Sequence, residues 1–158
     1  MVVSSPRPEV DIHNPPGGFD ALVEWFELLS YNLVLLEEYP LVDVRAAVAR
    51  VAQAIERHGR SAERPPPEPD PESRELRDLA QILSADHDWF RISVDQLWWF
   101  FRVVEREDHT GHRQALGQYG RVLCESVRRH RAQEEEFARR SNRRSRVETF
   151  SAPPGNTN

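Results

Sequence analysis

Six histidines and 26 carboxylates are the side chains with which this chain could do chemistry, and their spacing says which of them can act together. Glu105, Asp108, His109 and His112 recur as one helical face would space them, and Asp86-His87-Asp88 sets two carboxylates around an imidazole. Either group could begin a metal site of imidazole and carboxylate donors. A dinuclear centre in a helical bundle needs Glu-x-x-His pairs on facing helices, and no glutamate here has a histidine three residues on. Thr110-Gly111 also breaks the helix that would bring Glu105 and His112 into line. A polar turn between helices is therefore expected, with no cofactor and no metal.

His112 and His130 fall on the same helical arc as Leu116 and Leu123, where a histidine is expected to be a buried, hydrogen-bonded core residue. Cys124 is the single cysteine, so the chain can form neither an internal disulfide nor a thiolate-rich zinc site. It faces away from His130 on one helix, so the two are not expected to make a nucleophile and its base. There is no Gly-rich phosphate loop and no Gly-x-Ser-x-Gly. All 21 basic residues are arginine, which removes any lysine nucleophile. Nothing among the residue types demands an enzyme.

The arginines are unevenly placed. Residues 1–110 hold 11 Arg against 21 acids, whereas residues 111–158 hold 10 Arg against 5. Arg113, Arg121, Arg128, Arg131 and Arg139 cluster on the outward arc of the last helix, and Arg140, Arg143, Arg144 and Arg146 continue the strip. Such a strip could follow phosphates with salt-dependent affinity and no choice of sequence. Its competitor is internal pairing with Glu24, Glu27 and Glu38 of the acidic first helix.

A second feature is the run Trp98-Trp99-Phe100-Phe101. Apolar residues here cover almost the whole helical wheel, which suits the middle of a bundle or a subunit interface. Trp99, Phe100 and Val103 lie on the side away from Leu97 and Phe101 and are the expected contact for a partner. Gly117, Gly120 and Cys124 form a flat stripe on the next helix, the expected bed for those rings.

The elements that must position these groups read as helices throughout. Residues 1–18, with four prolines and Gly17-Gly18, suit a disordered arm. A first helix then carries Leu22, Trp25, Phe26, Leu29, Leu33 and Leu36 on one face and stops at Pro40. A second, from an Asp43 cap to Gly59, has a stripe of small residues at Val44, Ala47, Val48, Val51, Ala52 and Ile55. Residues 59–70, GRSAERPPPEPD, read as an extended internal linker. Asp70-Pro71 opens a third helix. An irregular stretch over 84–92 is expected to part it from a fourth, opened by a Ser93-x-x-Gln96 capping box. A fifth begins near Gly111 and frays before a disordered basic tail at 141–158.

The expectation is an all-α, five-helix bundle of two antiparallel pairs joined by the Pro-rich linker, with one helical domain over 19–140. A chain this long can bury its own core. Its longest near-apolar stretch, Leu28 to Leu36, is too short to span a membrane, and no signal segment opens it, so a cytoplasmic place is expected. The leading function is a non-enzymatic protein-interaction or adaptor module that binds another protein or itself as a homo-oligomer. The alternatives are nucleic-acid binding through the Arg strip, then a metal-binding helical enzyme.

Overall fold

Among the described residues the apolar stripes read along the chain become four helices, not five. The computed structural model describes residues 10–61 and 74–150, with Ser61 and residues 143–150 as backbone only. Helix α1 is Phe19–Val34, α2 Leu41–Ser61, α3 Arg74–Arg106 and α4 Thr110–Phe150, with no strand among the described residues.

The count falls by one because α3 runs unbroken through 84–92. That stretch has neither proline nor glycine, and its polar residues do not disturb the buried stripe Leu83, Phe90, Val94, Leu97, Phe101 and Val104. Ser93, read as a cap, sits buried in mid-helix. Phe90 is in the core, but Trp89 is 41% exposed. Helix α1 ends earlier than Pro40 requires. Leu36 takes a positive φ of 67°, and Glu37 N–H closes the turn on the Asn32 carbonyl at 3.0 Å. Pro40 starts α2 instead, its carbonyl accepting from the Asp43 and Val44 N–H groups.

Each helix runs antiparallel to its neighbours. Phe19 at the start of α1 stacks on His58 near the end of α2. Arg45 near the start of α2 pairs with Glu105 at the end of α3. Asp20 and Arg131 pair across α1 and α4, whereas Gln114 donates to the Val34 carbonyl at their other end. α1 and α3 therefore face each other across the diagonal of an up-down-up-down bundle. One core, centred on Phe26, Leu29, Val48, Leu97, Leu116 and Leu123, fills the four-helix part. Below it α3 and α4 continue as a pair around Leu76, Leu83 and Phe137.

Two further expectations need correcting. Gly117 and Gly120 do not bed the Trp98–Phe101 rings; they lie against Ser30, Leu33 and Phe26 of α1, because α1 packs along that face of α4. Helix α4 continues past Ser141 to Phe150, and residues 151–158 lie outside the described residues. At the other end Trp25 Nε1 donates to the Asp11 carbonyl at 3.0 Å and ties residues 10–18 to α1. Residues 1–9 and most of the 59–70 linker lie outside the described residues, while Gly59–Ser61 belong to α2. No helix among the described residues is long and apolar enough to cross a membrane.

Candidate metal centre

Where α1 begins and α2 ends, the bundle brings together four side chains from three helices. His58 comes from the last turn of α2, His87 from the middle of α3, and His130 and Glu134 from successive turns of α4. The i, i+4 spacing of His130 and Glu134 puts both on one helical face. Their partners arrive because α2 and α3 each run antiparallel to a neighbour at this level.

The geometry is convergent. Glu134 Oε1 lies 3.2 Å from His58 Nε2, 3.2 Å from His130 Nε2 and 3.8 Å from His87 Nε2. The four ligand atoms all lie within 4.8 Å of one another. Tetrahedral zinc, with bonds of about 2.0–2.2 Å to nitrogen and oxygen, separates its ligand atoms by about 3.3 Å. Two of the three distances from the carboxylate oxygen to an imidazole nitrogen match that separation, and the third is 3.8 Å. His130 is fully enclosed, while the side chains of His58, His87 and Glu134 keep 14%, 19% and 20% exposure. An open groove of about 840 Å³, lined by Phe19, Arg50, Gln53 and Arg57, reaches His58.

Behind the four stands a supporting layer. Asp86 Oδ2 lies 3.1 Å from His130 Nδ1. A hydrogen there makes Asp86 the acceptor and turns the Nε2 lone pair inward, the arrangement that orients imidazoles toward metals. Arg131 Nη1 donates to Glu134 Oε2 at 2.8 Å, leaving Oε1 for the cluster. Arg131 is itself held by both oxygens of Asp20. Phe19 stacks on His58 with ring centroids 4.6 Å apart, and Phe90 meets His130 edge-on at 5.0 Å.

Electrostatics follow from this crowding. Burial opposes charge on His130, but its hydrogen bonds to Glu134 and Asp86 outweigh that and raise its pKa above the ordinary imidazole value. His87 moves the other way, lowered by burial and then by its neighbour His130. Burial also opposes ionisation of Glu134, yet hydrogen bonds from His130, His58 and Arg131 hold its carboxyl well below the usual range. The result is an ionised carboxylate ringed by imidazoles. His87 Nε2 is buried and has no hydrogen-bond partner among the described residues, an uncommon condition for native polar groups.

The groups singled out from the sequence are distributed differently. His109 and His112 come together at the α3–α4 turn with Glu107, their rings stacked at 3.7 Å. His109 Nδ1 accepts from Gly111 N–H, and His112 Nδ1 lies 2.8 Å from the Glu107 carbonyl. Glu105 is drawn away to Arg45, and Asp108 to both arms of Arg113.

Arg128 pairs with Glu27 at 2.6 Å and Arg131 with Asp20 and Glu134. Arg139 and Arg140 pair with Glu136, Arg140 also with Glu75. Arg121 lies over the Tyr31 ring. The side chains of Arg143, Arg144 and Arg146 lie outside the described residues. Trp99 is 59% exposed, whereas Phe100 and Val103 are half-buried, Phe100 against Tyr119 with centroids 4.9 Å apart. Cys124 is buried, and burial pushes its thiol far above the ordinary range, so it is not a nucleophile.

Reading along the chain missed His58 and Glu134; His130 is buried and hydrogen-bonded as expected, but its place in the cluster was not read. One local signal was present: His130-x-x-x-Glu134 sets an imidazole and a carboxylate one turn apart. The fold is a four-helix bundle in which three imidazoles and one carboxylate converge where α2 ends. Comparison with protein-family models, curated proteins and solved structures finds no match for the chain.

Proposed function

We propose that this chain is a metal-binding helical protein, in which His58, His87, His130 and Glu134 hold one divalent transition-metal ion. The observation that carries the reading is the approach of three imidazole Nε2 atoms to a single carboxylate oxygen at 3.2, 3.2 and 3.8 Å. Three nitrogens and one oxygen, with no thiolate, suit zinc and its borderline neighbours rather than calcium or magnesium. The reading departs from the sequence expectation that no metal is bound. It shares metal binding with the second alternative, a metal-binding helical enzyme, but uses a different set of ligands and assigns no reaction.

The metal would tie α2, α3 and α4 together where α2 gives out and the bundle thins to two helices. The Asp86–His130 and Arg131–Glu134 contacts would fix the orientation of two ligands. The groove at His58 supports access by water or a small ligand. The nucleic-acid reading loses support because the arginines of the strip whose side chains are described, from Arg113 to Arg140, engage acids or a ring of the chain itself.

The test is a titration of chelator-stripped protein with zinc and with cobalt(II), followed by calorimetry, visible absorption and thermal melting. One ion per chain is expected, with a cobalt spectrum of low-symmetry N/O coordination. An ion at a hundred times its dissociation constant adds about 2.7 kcal/mol of stability. Glu134→Gln and His87→Ala should each abolish the spectrum while leaving the helical signal. Absence of stoichiometric binding, or binding removed by His109→Ala and His112→Ala but kept by Glu134→Gln, would sink the proposal.

A further inference from the structure

Helix α3 is apolar on two faces, and the bundle covers only one. On the other side Ile82, Trp89, Ile92 and Trp99 are 49%, 41%, 56% and 59% exposed. With Ala85 and Val103 they fall at steps of 3 and 4 residues, interrupted once by Gln96, from 82 to 103. At 1.5 Å per residue the stripe is about 32 Å long. Three heptads of that spacing form the seam of a two-stranded coiled coil, in which each helix supplies the knobs for the other. Monomeric proteins rarely leave a continuous stripe of large apolar groups in water.

We infer that this stripe is a homodimer interface, with α3 of a second copy lying antiparallel along it. The flanking charges select both occupant and direction. Asp88 and Asp95 border the stripe in its first part, Arg102 and Arg106 in its last, and all four are exposed. Asp95, Arg102 and Arg106 make no ion pair among the described residues, and Asp88 meets only Arg91, in a pair both of whose members are largely in water. A parallel pairing would set Asp88 against Asp88 and Arg102 against Arg102.

An antiparallel pairing about a two-fold axis near Gln96 instead sets Asp88 of each copy toward Arg102 of the other. It also places Ile92 against Trp99 and Trp89 against Val103, so that each of these four side chains meets an apolar partner, while Ile82 lies beyond the paired stretch. This self-complementarity is what a two-fold interface demands of a single surface. The axis brings the two Asp95 carboxylates near one another, and the doubled Ile92–Trp99 contact must outweigh that exposed repulsion. The inference does not depend on the metal, because no residue of the seam belongs to the His–Glu cluster.

Sedimentation equilibrium on the full chain, metal-loaded and metal-free, over micromolar to hundreds-of-micromolar concentrations tests it. A reversible monomer–dimer equilibrium is expected. Trp99→Glu and, independently, Ile92→Glu should raise the dissociation constant on the order of a hundredfold. Both sites are more than half exposed, so the far-ultraviolet circular dichroism should not change. Asp88→Arg should weaken the dimer several-fold, and Asp88→Arg with Arg102→Asp should restore it. A chain that stays monomeric throughout overturns the inference. So does a dimer indifferent to Trp99→Glu and Ile92→Glu, and a double charge swap weaker than the single one refutes the antiparallel arrangement.

Discussion

Gly117→Ala puts a Cβ where α1 and α4 come closest. That atom would sit 2.4 Å from the Ser30 carbonyl oxygen, 3.0 Å from Leu33 Cβ and 3.1 Å from Val34 Cγ2. Real Cβ contacts essentially stop at 3.0 Å, so the helices must part by at least 0.6 Å, the difference between 3.0 and 2.4. The obstructing atom is backbone and cannot rotate away. Alanine gains about 1 kcal/mol of helix propensity over glycine, against about 1–3 kcal/mol for overpacking a close interface. With a backbone obstacle the upper part of that range applies, leaving a net loss of about 1–2 kcal/mol. For a chain of this size that lowers the melting temperature by about 2–8 °C.

Gly59 supplies the control: it lies in α2 with nothing within 4 Å of its would-be Cβ. Gly59→Ala should therefore be neutral or stabilise by up to about 1 kcal/mol. Gly120→Ala should fall between, since its nearest obstacle is the Ser30 hydroxyl at 2.3 Å, which can turn, with Phe26 Cε1 behind it at 3.1 Å. Urea unfolding monitored by circular dichroism measures all three. A Gly117→Ala protein as stable as Gly59→Ala would refute the claim that α1 lies directly on the α4 backbone.

Three further outcomes are expected. Asp86→Asn keeps the shape of the His130 contact but weakens its acceptor, and should cost about 10–100-fold in metal affinity; unchanged affinity in a zinc competition assay would remove Asp86 from the site. Cys124 should resist thiol reagents at pH 8 in the folded protein and react only when urea opens the fold, because burial holds its thiol protonated; rapid labelling of the native chain would contradict this. The Arg113 hydrogen bonds hold the Asp108 carboxyl below its ordinary value of 3.8. A lowered folded-state pKa stabilises above that value and ceases to do so as pH falls through the folded pKa. The melting-temperature gap between the parent and Asp108→Asn should thus be present at pH 7 and close below about pH 4, and it should be small because Asp108 is 42% exposed.

Much of the architecture is legible residue by residue. The period of 3.6 assigns Leu22, Trp25, Phe26, Leu29, Leu33 and Leu36 to the core, along with the small-residue stripe of α2, and all of these are buried except Leu36, which lies past the end of α1 and is 53% exposed. An amphipathic face is a local property, set by which residues one helix turns inward. Helix ends are legible only where a breaker stands. Pro40 does lie between α1 and α2, but α1 already ends at Val34 and the turn at Leu36 closes it; the polar stretch 84–92 has no breaker, and tertiary packing carries α3 through it.

The exposed seam of α3 was half visible, since Trp99 could be placed away from Leu97. Its continuation through Ile92, Trp89 and Ile82 depends on α3 being one helix. The candidate metal centre was hidden for a different reason. His58, His87 and His130 lie 29 and 43 residues apart, and beyond Asp86-His87-Asp88 and the His130–Glu134 spacing nothing local marks them as one group. They meet because antiparallel packing sets the end of α2, the middle of α3 and the middle of α4 at one height. That height follows from helix lengths and from close contacts such as Gly117 on Ser30. The sequence alone determined which face each helix buries, because a face needs only its own neighbours. The tertiary structure decided which faces share a level, because register between helices is a property of their packing.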